Sequence, residues 1–129
     1  MNKIKILLVD DEISLTRILK LNLEQTGRFE VAVENEGSKA LKTAKKFGPD
    51  LIFLDIVMPD IEGSEVAQLI KSDDTLKSIP IVFLTATVTP DEIRSFGNII
   101  GGNIFLAKPV TLDQIVKCVN RLIKESASG

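Results

Sequence analysis

The sequence predicts an α/β domain built on a five-stranded parallel sheet with helices on both faces. Short apolar runs of strand length alternate with longer stretches in which apolar residues recur every three or four positions. The strand-length runs are mostly apolar throughout, which is typical of strands buried on both faces of a parallel sheet. The 129 residues contain no repeat and no internal linker, so a single domain of this kind accounts for the chain.

The first three strands and the two helices between them have clear boundaries. The first strand covers residues 4–9, and the third covers residues 51–54 and ends at Asp55. The second strand is short and is expected near the sheet edge, because its apolar residues alternate with less apolar ones. Helical spacing followed by a glycine marks each helix. The marker residues are Leu15, Ile18, Leu19 and Leu23 before Gly27, and Ala40, Leu41, Ala44 and Phe47 before Gly48-Pro49.

The second half of the chain continues the alternation. Its predicted elements are a helix marked by Val66, Leu69 and Ile70, a strand over residues 80–84, a helix from Thr89-Pro90 to Gly101-Gly102, a strand over residues 104–107, and a helix marked by Ile115, Val116, Val119, Leu122 and Ile123. The fourth helix has a good start but a weak middle, because Gly97-Asn98 interrupts it. We hypothesise that this helix is locally soft and becomes ordered when the protein is modified.

Polar residues stand at, or just past, the ends of the predicted strands. Right-handed crossovers place the carboxyl ends of parallel strands on one edge, where open α/β folds keep their chemistry. The residues are Asp10, Asp11, Asp55, Thr85 and Lys108. Three carboxylates gathered at one edge repel one another unless a cation intervenes. An all-oxygen site of this kind suits Mg²⁺, with Mn²⁺ as the other option.

Histidine is absent, which excludes a Ser-His-Asp triad, a histidine general base and most catalytic zinc sites. With Mg²⁺ bound, the natural substrate is a phosphoryl group. Asp55 is then the expected nucleophile, forming an aspartyl phosphate, while Lys108 supplies positive charge and Thr85 a hydroxyl hydrogen bond. The competing structural interpretation is that Asp10 and Asp11 cap the first helix and that Lys108 pairs with one of them.

Composition limits the classes of partner. A net charge of −2 gives no reason to expect direct binding to nucleic acid or to an anionic membrane. The single cysteine, Cys118, excludes an internal disulfide and suits a reducing compartment. No apolar run reaches the roughly 18 residues of a membrane helix, and the N-terminus has no signal-type stretch. We therefore expect a cytoplasmic location.

At this point the chain closely resembles the receiver domain of two-component response regulators, the class that includes the chemotaxis regulator. The likeness runs from about Lys3 to Glu125. Each motif alone is weak, but all of them occur in order at the predicted strand ends. They are Val9-Asp10-Asp11-Glu12, then Asp55-Ile56-Val57-Met58-Pro59 with Gly63 four residues on, then Thr85-Ala86, and finally Lys108-Pro109 with Phe105 three residues before the lysine.

The resemblance implies a flavodoxin-like, doubly wound sheet with strand order 2-1-3-4-5, and a Mg²⁺-dependent phosphorylation at Asp55. The phosphoryl group would come from a histidine of a sensor kinase or of a histidine phosphotransfer protein. Asp11, Asp55 and the main-chain carbonyl of Val57 would ligate Mg²⁺, with Asp10 acting mostly through ordered water. Val57 and Thr87 would flank the phosphoryl group, and the apolar Val57 is expected to lengthen its lifetime.

The resemblance also implies a switch. Lys108 would contact the phosphoryl oxygens, Thr85 would turn inward to bind them, and Phe105 would move between exposed and buried rotamers. The Lys108-Pro109 bond would be cis, which is uncommon even before proline, and Ala86 would leave room for the phosphoryl group. A plain core role for Phe105 stays open. The output face would combine the fourth helix, the fifth strand and the last helix.

Residues 1–125 are expected to form the receiver domain, and residues 126–129 a disordered tail or a linker stub. The domain would act on a downstream protein target, or on an output domain attached to it. It would be a monomer whose phosphorylated form can dimerise. It would not be an enzyme beyond catalysing its own phosphorylation from a phosphohistidine donor and its own dephosphorylation.

Three alternatives share parts of this pattern. A haloacid-dehalogenase-type phosphatase also uses a strand-end aspartate and Mg²⁺, but it needs an acid two residues later, where this chain has Val57. A flavodoxin-like FMN protein should have a Ser/Thr/Gly-rich phosphate loop where this chain has Asp10-Asp11-Glu12. A degenerate receiver that only binds partners would lack a site residue, and here none of them is missing.

Overall fold

The computed structural model describes residues 3–86, 99–100 and 103–128. In these residues strands and helices alternate as predicted. The elements are β1 (Ile4–Val9), α1 (Ile13–Gln25), β2 (Phe29–Glu34), a 3₁₀ turn (Gly37–Lys39), α2 (Ala40–Phe47), β3 (Leu51–Asp55), α3 (Gly63–Lys71), β4 (Ile81–Thr85), β5 (Ile99–Ile100), β6 (Asn103–Ala107) and α4 (Leu112–Ser128). Over the described ranges, none of the helices combines the length and the apolar character needed to cross a membrane.

Five strands form the predicted parallel sheet in the order β2-β1-β3-β4-β6, which is 2-1-3-4-5 in the numbering of the sequence prediction. The fold class is therefore confirmed. As expected from its alternating pattern, β2 lies at an edge of the sheet. The central position belongs to β3, whose five side chains are all buried. This burial explains why its sequence is apolar up to the terminal aspartate.

Alternate residues along the strands face two separate cores. Leu51 and Phe53 of β3 belong to the core that includes buried residues of α1 and α4. Ile52 and Leu54 belong to the core that includes buried residues of α2 and α3. Because side chains of a strand alternate between the two faces, an unbroken apolar run supplies both cores. The same arrangement leaves the carboxyl edge of the sheet to the polar residues.

The predicted glycine stops are confirmed for the first two helices. Gly48 is the C-cap residue of α2 in the left-handed region, with φ +67°, and its N–H donates to the carbonyl of Ala44 at 2.9 Å. Gly27 follows the end of α1 with φ +79°. Both positions require a backbone conformation that glycine adopts without steric penalty.

Two of the apolar residues that mark predicted helices are exposed. The exposed fractions of Ile18 in α1 and Leu69 in α3 are 57% and 48%. In α1 the buried positions are Leu19, Leu23 and the polar residue Thr16. Apolar spacing alone cannot separate the sheet-facing side of a helix from a neighbouring apolar position, and a polar residue is buried where it has hydrogen-bond partners.

The prediction of a helix running up to Gly101-Gly102 is wrong at its end. Ile99–Ile100 form β5, which pairs antiparallel with β6 through Ile99 opposite Ile104 and Ile100 opposite Asn103. Isoleucine is a residue type that is enriched in strands. The predicted helix start at Thr89-Pro90 and the Gly97-Asn98 interruption lie outside the described residues, as does Thr87.

The last helix also differs from its prediction. It continues to Ser128, so the first three residues of the expected disordered tail, 126–128, are helical. Serine and alanine do not break a helix, and the next glycine in the sequence is Gly129. The proposed domain boundary at residue 125 stays a prediction.

Candidate functional site

The strand ends bring four of the predicted site residues to one edge of the sheet. The pairing register sets Val9 beside Leu54, Asp55 beside Leu84, and Thr85 beside Ala107. Asp10 and Lys108 directly follow the first and the last of these strands. The parallel register therefore explains why residues far apart in sequence converge. Their convergence at one edge agrees with the prediction.

Three carboxylates form a compact group at this edge. Oxygens of Asp10, Asp11 and Asp55 lie within 4.8 Å of one another. Asp10 and Asp55 are almost fully buried, with exposed fractions of 1% and 4%, whereas Asp11 is exposed. The Oδ2 atom of Asp10 is shielded from solvent, and its close neighbour among the described residues is the ammonium of Lys108 at 2.8 Å, a charge contact without the angles of a good hydrogen bond. An all-oxygen donor set with one such buried atom fits a hard divalent cation such as Mg²⁺.

Lys108 lies among these acids and contacts three carboxylates. Its Nζ is 2.8 Å from Oδ2 of Asp10, 2.7 Å from Oε1 of Glu12 and 3.4 Å from Oδ1 of Asp55. Burial acts to lower the pKa of the Lys108 ammonium. Hydrogen bonds to Asp10 and Glu12 outweigh that effect and raise the pKa, so the lysine is charged at neutral pH. Lys108 pairs with Asp10, as the structural interpretation anticipated, and it reaches Asp55 as well.

The carboxyl group of Asp55 is electrostatically unfavourable as an anion among these neighbours. Burial raises its pKa to about 6, and the charge of Asp10 adds to this increase, while Lys108 acts in the opposite direction. The N–H of Val57 is 3.4 Å from Oδ1 of Asp55, which is a long contact for a hydrogen bond. At neutral pH the group is therefore mostly ionised but poorly stabilised, and a cation beside it would be favourable.

The local turn after β1 explains one part of the acidic run. Oδ1 of Asp10 accepts the N–H of Glu12 at 2.9 Å, and Glu12 is the N-cap residue of α1 without a side-chain capping bond of its own. Asp10 therefore supports the helix start through a local turn, as the structural interpretation proposed. This turn uses Oδ1 of Asp10, whereas Oδ2 faces Lys108 in the pocket.

The loop after Asp55 is fixed by close backbone packing. The N–H of Gly63 donates to the carbonyl of Ile56 at 2.7 Å. A Cβ atom at Gly63 would collide with the main chain of Asp55 and Ile56, so only glycine permits this approach. Further along the loop, Oδ2 of Asp60 accepts the N–H of Ser38 at 2.9 Å, which ties the loop to the 3₁₀ turn.

The remaining predicted residues are in place around the acids. The side chain of Val57 is 64% exposed at the rim, and Thr85 is buried at the end of β4. Phe105 is half-buried and stacks on Phe83, with ring centroids 5.3 Å apart. This partial burial is compatible with both the switch and the plain core interpretation of Phe105. The expected cis bond between Lys108 and Pro109 is present.

Sequence reasoning missed three residues in or directly behind this site. Glu12 was visible only as the third acid of a run, and no pattern predicted that it would reach Lys108. Asn35 and Thr16 gave no signal, because a single asparagine in a loop and a threonine in a helix are common. The structure joins them: Nδ2 of Asn35 donates to Oγ1 of Thr16 at 3.0 Å.

Comparison with known proteins gives a consistent match. Residues 6–120 match the family model described as the response regulator receiver domain. Among curated proteins, the chain is 34% identical over 124 residues to the transcriptional regulatory protein TrcR of Mycobacterium tuberculosis, covering 96% of this chain and 47% of that protein. It is 38% identical over 120 residues to the nisin biosynthesis regulatory protein NisR of Lactococcus lactis, covering 93% and 50%. The chain thus spans about half the length of these relatives.

Solved structures give the same result. The chemotaxis protein CheY4 of Vibrio cholerae superposes with a TM-score of 0.77 at 30% identity, covering 93% of this chain and 98% of that one. A putative response regulator from Chloroflexus aurantiacus gives a TM-score of 0.78 at 29% identity, covering 95% and 99%. Neither the family match nor these relatives support the phosphatase alternative.

Proposed function

Because this chain belongs to the response regulator receiver domain family of two-component systems, we propose that it is a switch that is phosphorylated on Asp55. The observation that supports this most is the cluster of Asp10, Asp11, Asp55 and Lys108 at the carboxyl edge of the sheet. The aspartate at its centre is buried and ends the central strand, and the N–H of Val57 reaches it only at 3.4 Å.

Asp55 would act as the nucleophile toward a phosphohistidine of a sensor kinase or of a phosphotransfer protein. A carboxylate oxygen of Asp55 would attack phosphorus, so that a P–O bond forms while the P–N bond breaks and the imidazole nitrogen retains the electron pair. A pKa of about 6 leaves the group mostly ionised at neutral pH. The contacts from Lys108 and from the N–H of Val57, both at 3.4 Å, are long and are easily given up when the group reacts.

Asp11, Asp55 and the main-chain carbonyl of Val57 would hold a Mg²⁺ ion, or Mn²⁺ in its place, with Asp10 acting mostly through ordered water. The ion would neutralise charge on the acids and on the phosphoryl oxygens. The acids alone favour this arrangement, because their oxygens lie close together and Lys108 compensates only one negative charge.

Lys108 would contact the phosphoryl group after transfer. It lies 3.4 Å from Oδ1 of Asp55, so a small movement of its side chain suffices. Thr85 would bind a phosphoryl oxygen through its hydroxyl, and Phe105 would follow the movement of Thr85. Phe105 pairs with Phe83 in the register of β4 and β6, which connects the pocket to the proposed output face. Part of that face lies outside the described residues.

Partners and output follow from the same proposal. The named relatives are about twice as long as this chain, and their names describe transcriptional or biosynthesis regulators. We propose that the phosphorylated domain acts in the cytoplasm, either on a separate protein target or on an attached output domain. The unphosphorylated domain would be a monomer, and phosphorylation would allow it to dimerise. Regulation rather than turnover of an external substrate is its role, and its self-catalysed phosphorylation and dephosphorylation belong to the proposal.

The test is phosphorylation by a small-molecule phosphodonor in the presence of Mg²⁺, followed by intact-mass measurement. We expect one phosphoryl adduct on the unmodified chain, and none on Asp55→Ala or when Mg²⁺ is removed by chelation. Asp73→Ala is the matched control, because Asp73 also faces a lysine but lies outside the cluster. An adduct that persists in Asp55→Ala would refute Asp55 as the acceptor.

A further inference from the structure

We propose that Asn35, acting with Thr16, is a positioning residue for the Mg²⁺ pocket; the inference depends on the proposed function. Asn35 lies in the loop between β2 and the 3₁₀ turn, and it touches neither the acids' carboxylates nor Lys108 in any contact found among the described residues. Its role is instead to fix the main chain that presents those acids.

The amide of Asn35 holds two separate points of the β1–α1 connection. Its Nδ2 atom donates to the main-chain carbonyl of Asp10 at 2.7 Å and to Oγ1 of Thr16 at 3.0 Å. A side-chain amide nitrogen has two hydrogens, so both are used. One bond holds the residue that follows β1, and the other holds the first turn of α1.

Thr16 completes the arrangement from the helix side. It is buried, with an exposed fraction of 2%, and its hydroxyl donates back to the carbonyl of Ile13 at 3.0 Å. The hydroxyl thus accepts from Asn35 and donates within α1, which satisfies a buried polar group in both directions. This double use explains why a threonine occupies a core-facing position of α1.

The segment between Asp10 and Thr16, the two residues that Asn35 contacts, contains Asp11 and Glu12. The negative charges of Asp11 and Glu12 repel those of Asp10 and Asp55. Without the bonds from Asn35, the segment can relax outward and separate the oxygens that now lie within 4.8 Å. The carbonyl of Asp10 and the hydroxyl of Thr16 would also lose a donor. Residues that hydrogen-bond metal ligands directly typically change metal affinity by roughly 10- to 100-fold. Asn35 acts through the main chain of Asp10 instead, so the lower end of this range is expected.

Calorimetric titration of the whole chain with MgCl₂ tests the inference. We expect Asn35→Ala to weaken Mg²⁺ binding by roughly tenfold or more. Thr16→Val, which has the same shape but no hydroxyl, should weaken it to a smaller extent. Thr16→Ser keeps the hydroxyl and should bind within about twofold of the parent. Each variant is first shown to be folded at the titration temperature by circular dichroism, and the Thr16 pair decides the matter if Asn35→Ala does not fold.

The matched control is Asn120→Ala, because Oδ1 of Asn120 also accepts a long-range hydrogen bond, from Arg28 at 2.7 Å, on another part of the surface. Its Mg²⁺ affinity should not change even if its melting temperature falls. Unchanged affinity in both Asn35→Ala and Thr16→Val, with a parent that binds Mg²⁺, would overturn the inference and leave these residues a structural role alone. A parent that does not bind Mg²⁺ would instead refute the proposed function.

Discussion

Asp55 and Asp73 each face a lysine, yet their surroundings give the two carboxyl groups opposite properties. Burial and the charge of a neighbouring carboxylate raise the pKa of Asp55 to about 6, although Lys108 opposes this. Hydrogen bonds from Lys45, and then from Thr75, lower the pKa of Asp73 to about 2. An aspartate–lysine contact by itself therefore does not identify a functional site.

The difference lies in how well each carboxylate is satisfied. Oδ1 of Asp73 accepts hydrogen bonds from the N–H of Thr75 at 2.9 Å and from the hydroxyl of Thr75 at 2.5 Å. Oδ2 of Asp73 is 2.8 Å from Nζ of Lys45. Among the described residues, Lys108 and the N–H of Val57 approach Asp55 at 3.4 Å, which is long for a hydrogen bond. A saturated carboxylate stabilises a loop, whereas an unsaturated one next to other acids is ready to accept a cation or a phosphoryl group.

The largest expected effect comes from removing Lys108. In metal-free buffer at pH 7.5, Lys108→Met should lower the free energy of unfolding by about 3 kcal/mol, because the buried carboxylate of Asp10 loses its partner. Lys45→Met should have a clearly smaller effect, because Asp73 keeps its donors from Thr75. Urea titration monitored by circular dichroism measures both. Equal losses in the two variants would show that the two clusters do not differ as described.

A pH series distinguishes the two aspartates, because replacing each of them should change the stability of the fold in opposite directions. The folded-state pKa of Asp55, about 6, lies above the 3.8 of an unperturbed aspartate, so its contribution to stability is present at low pH and is lost as the pH rises through 6. Without metal at pH 7.5, Asp55→Asn should therefore be more stable than the parent, by on the order of 2 kcal/mol, with no difference near pH 4.

Asp73 should behave in the opposite way. Its folded-state pKa of about 2 lies below the 3.8 of an unperturbed aspartate, so its stabilisation is present above pH 4 and is lost as the pH falls through 2. Asp73→Asn should thus be less stable than the parent at pH 7.5. Urea midpoints of both variants, in chelator at pH 4 and pH 7.5, provide the check. A shift of the same sign for both variants at pH 7.5 would contradict the comparison.

The sequence was sufficient for the sheet and for the central acids. The unbroken apolar run of β3 predicts a strand buried on both faces, and parallel topology then requires Asp55 to lie at the carboxyl edge beside the residues that follow the other strands. The chemistry of three carboxylates and one lysine follows from residue type alone. For these features the local pattern and the global fold agree, which is why reasoning from residues succeeds.

The features that the sequence did not show share a different cause. Ile18 and Leu69 fit a helical apolar pattern but are exposed beside the buried face of their helices, and apolar spacing does not separate two adjacent faces of a helix. Ile99–Ile100 form a short strand that pairs with β6, and the position of a pairing partner cannot be deduced from local spacing. The hydrogen bond from Asn35 to the main-chain carbonyl of Asp10 joins a loop to a strand end 25 residues earlier, and such a contact exists only in the folded chain. Long-range polar contacts leave no periodic trace in a sequence.

The smallest expected effect concerns the residue two positions after each aspartate. Thr75 gives Asp73 a hydroxyl hydrogen bond, whereas Val57 places an apolar, 64% exposed side chain beside Asp55. After phosphorylation, an apolar side chain there cannot orient a water molecule for attack on the phosphoryl group. Val57→Asn adds an amide that can orient this water, and one hydrogen bond corresponds to roughly a two- to tenfold faster decay of the phosphorylated protein.

Intact-mass measurement after removal of the phosphodonor gives the rate of this decay. Val57→Ala, which stays apolar, should decay within about twofold of the parent, and equal or slower decay in Val57→Asn would show that this position does not control the lifetime.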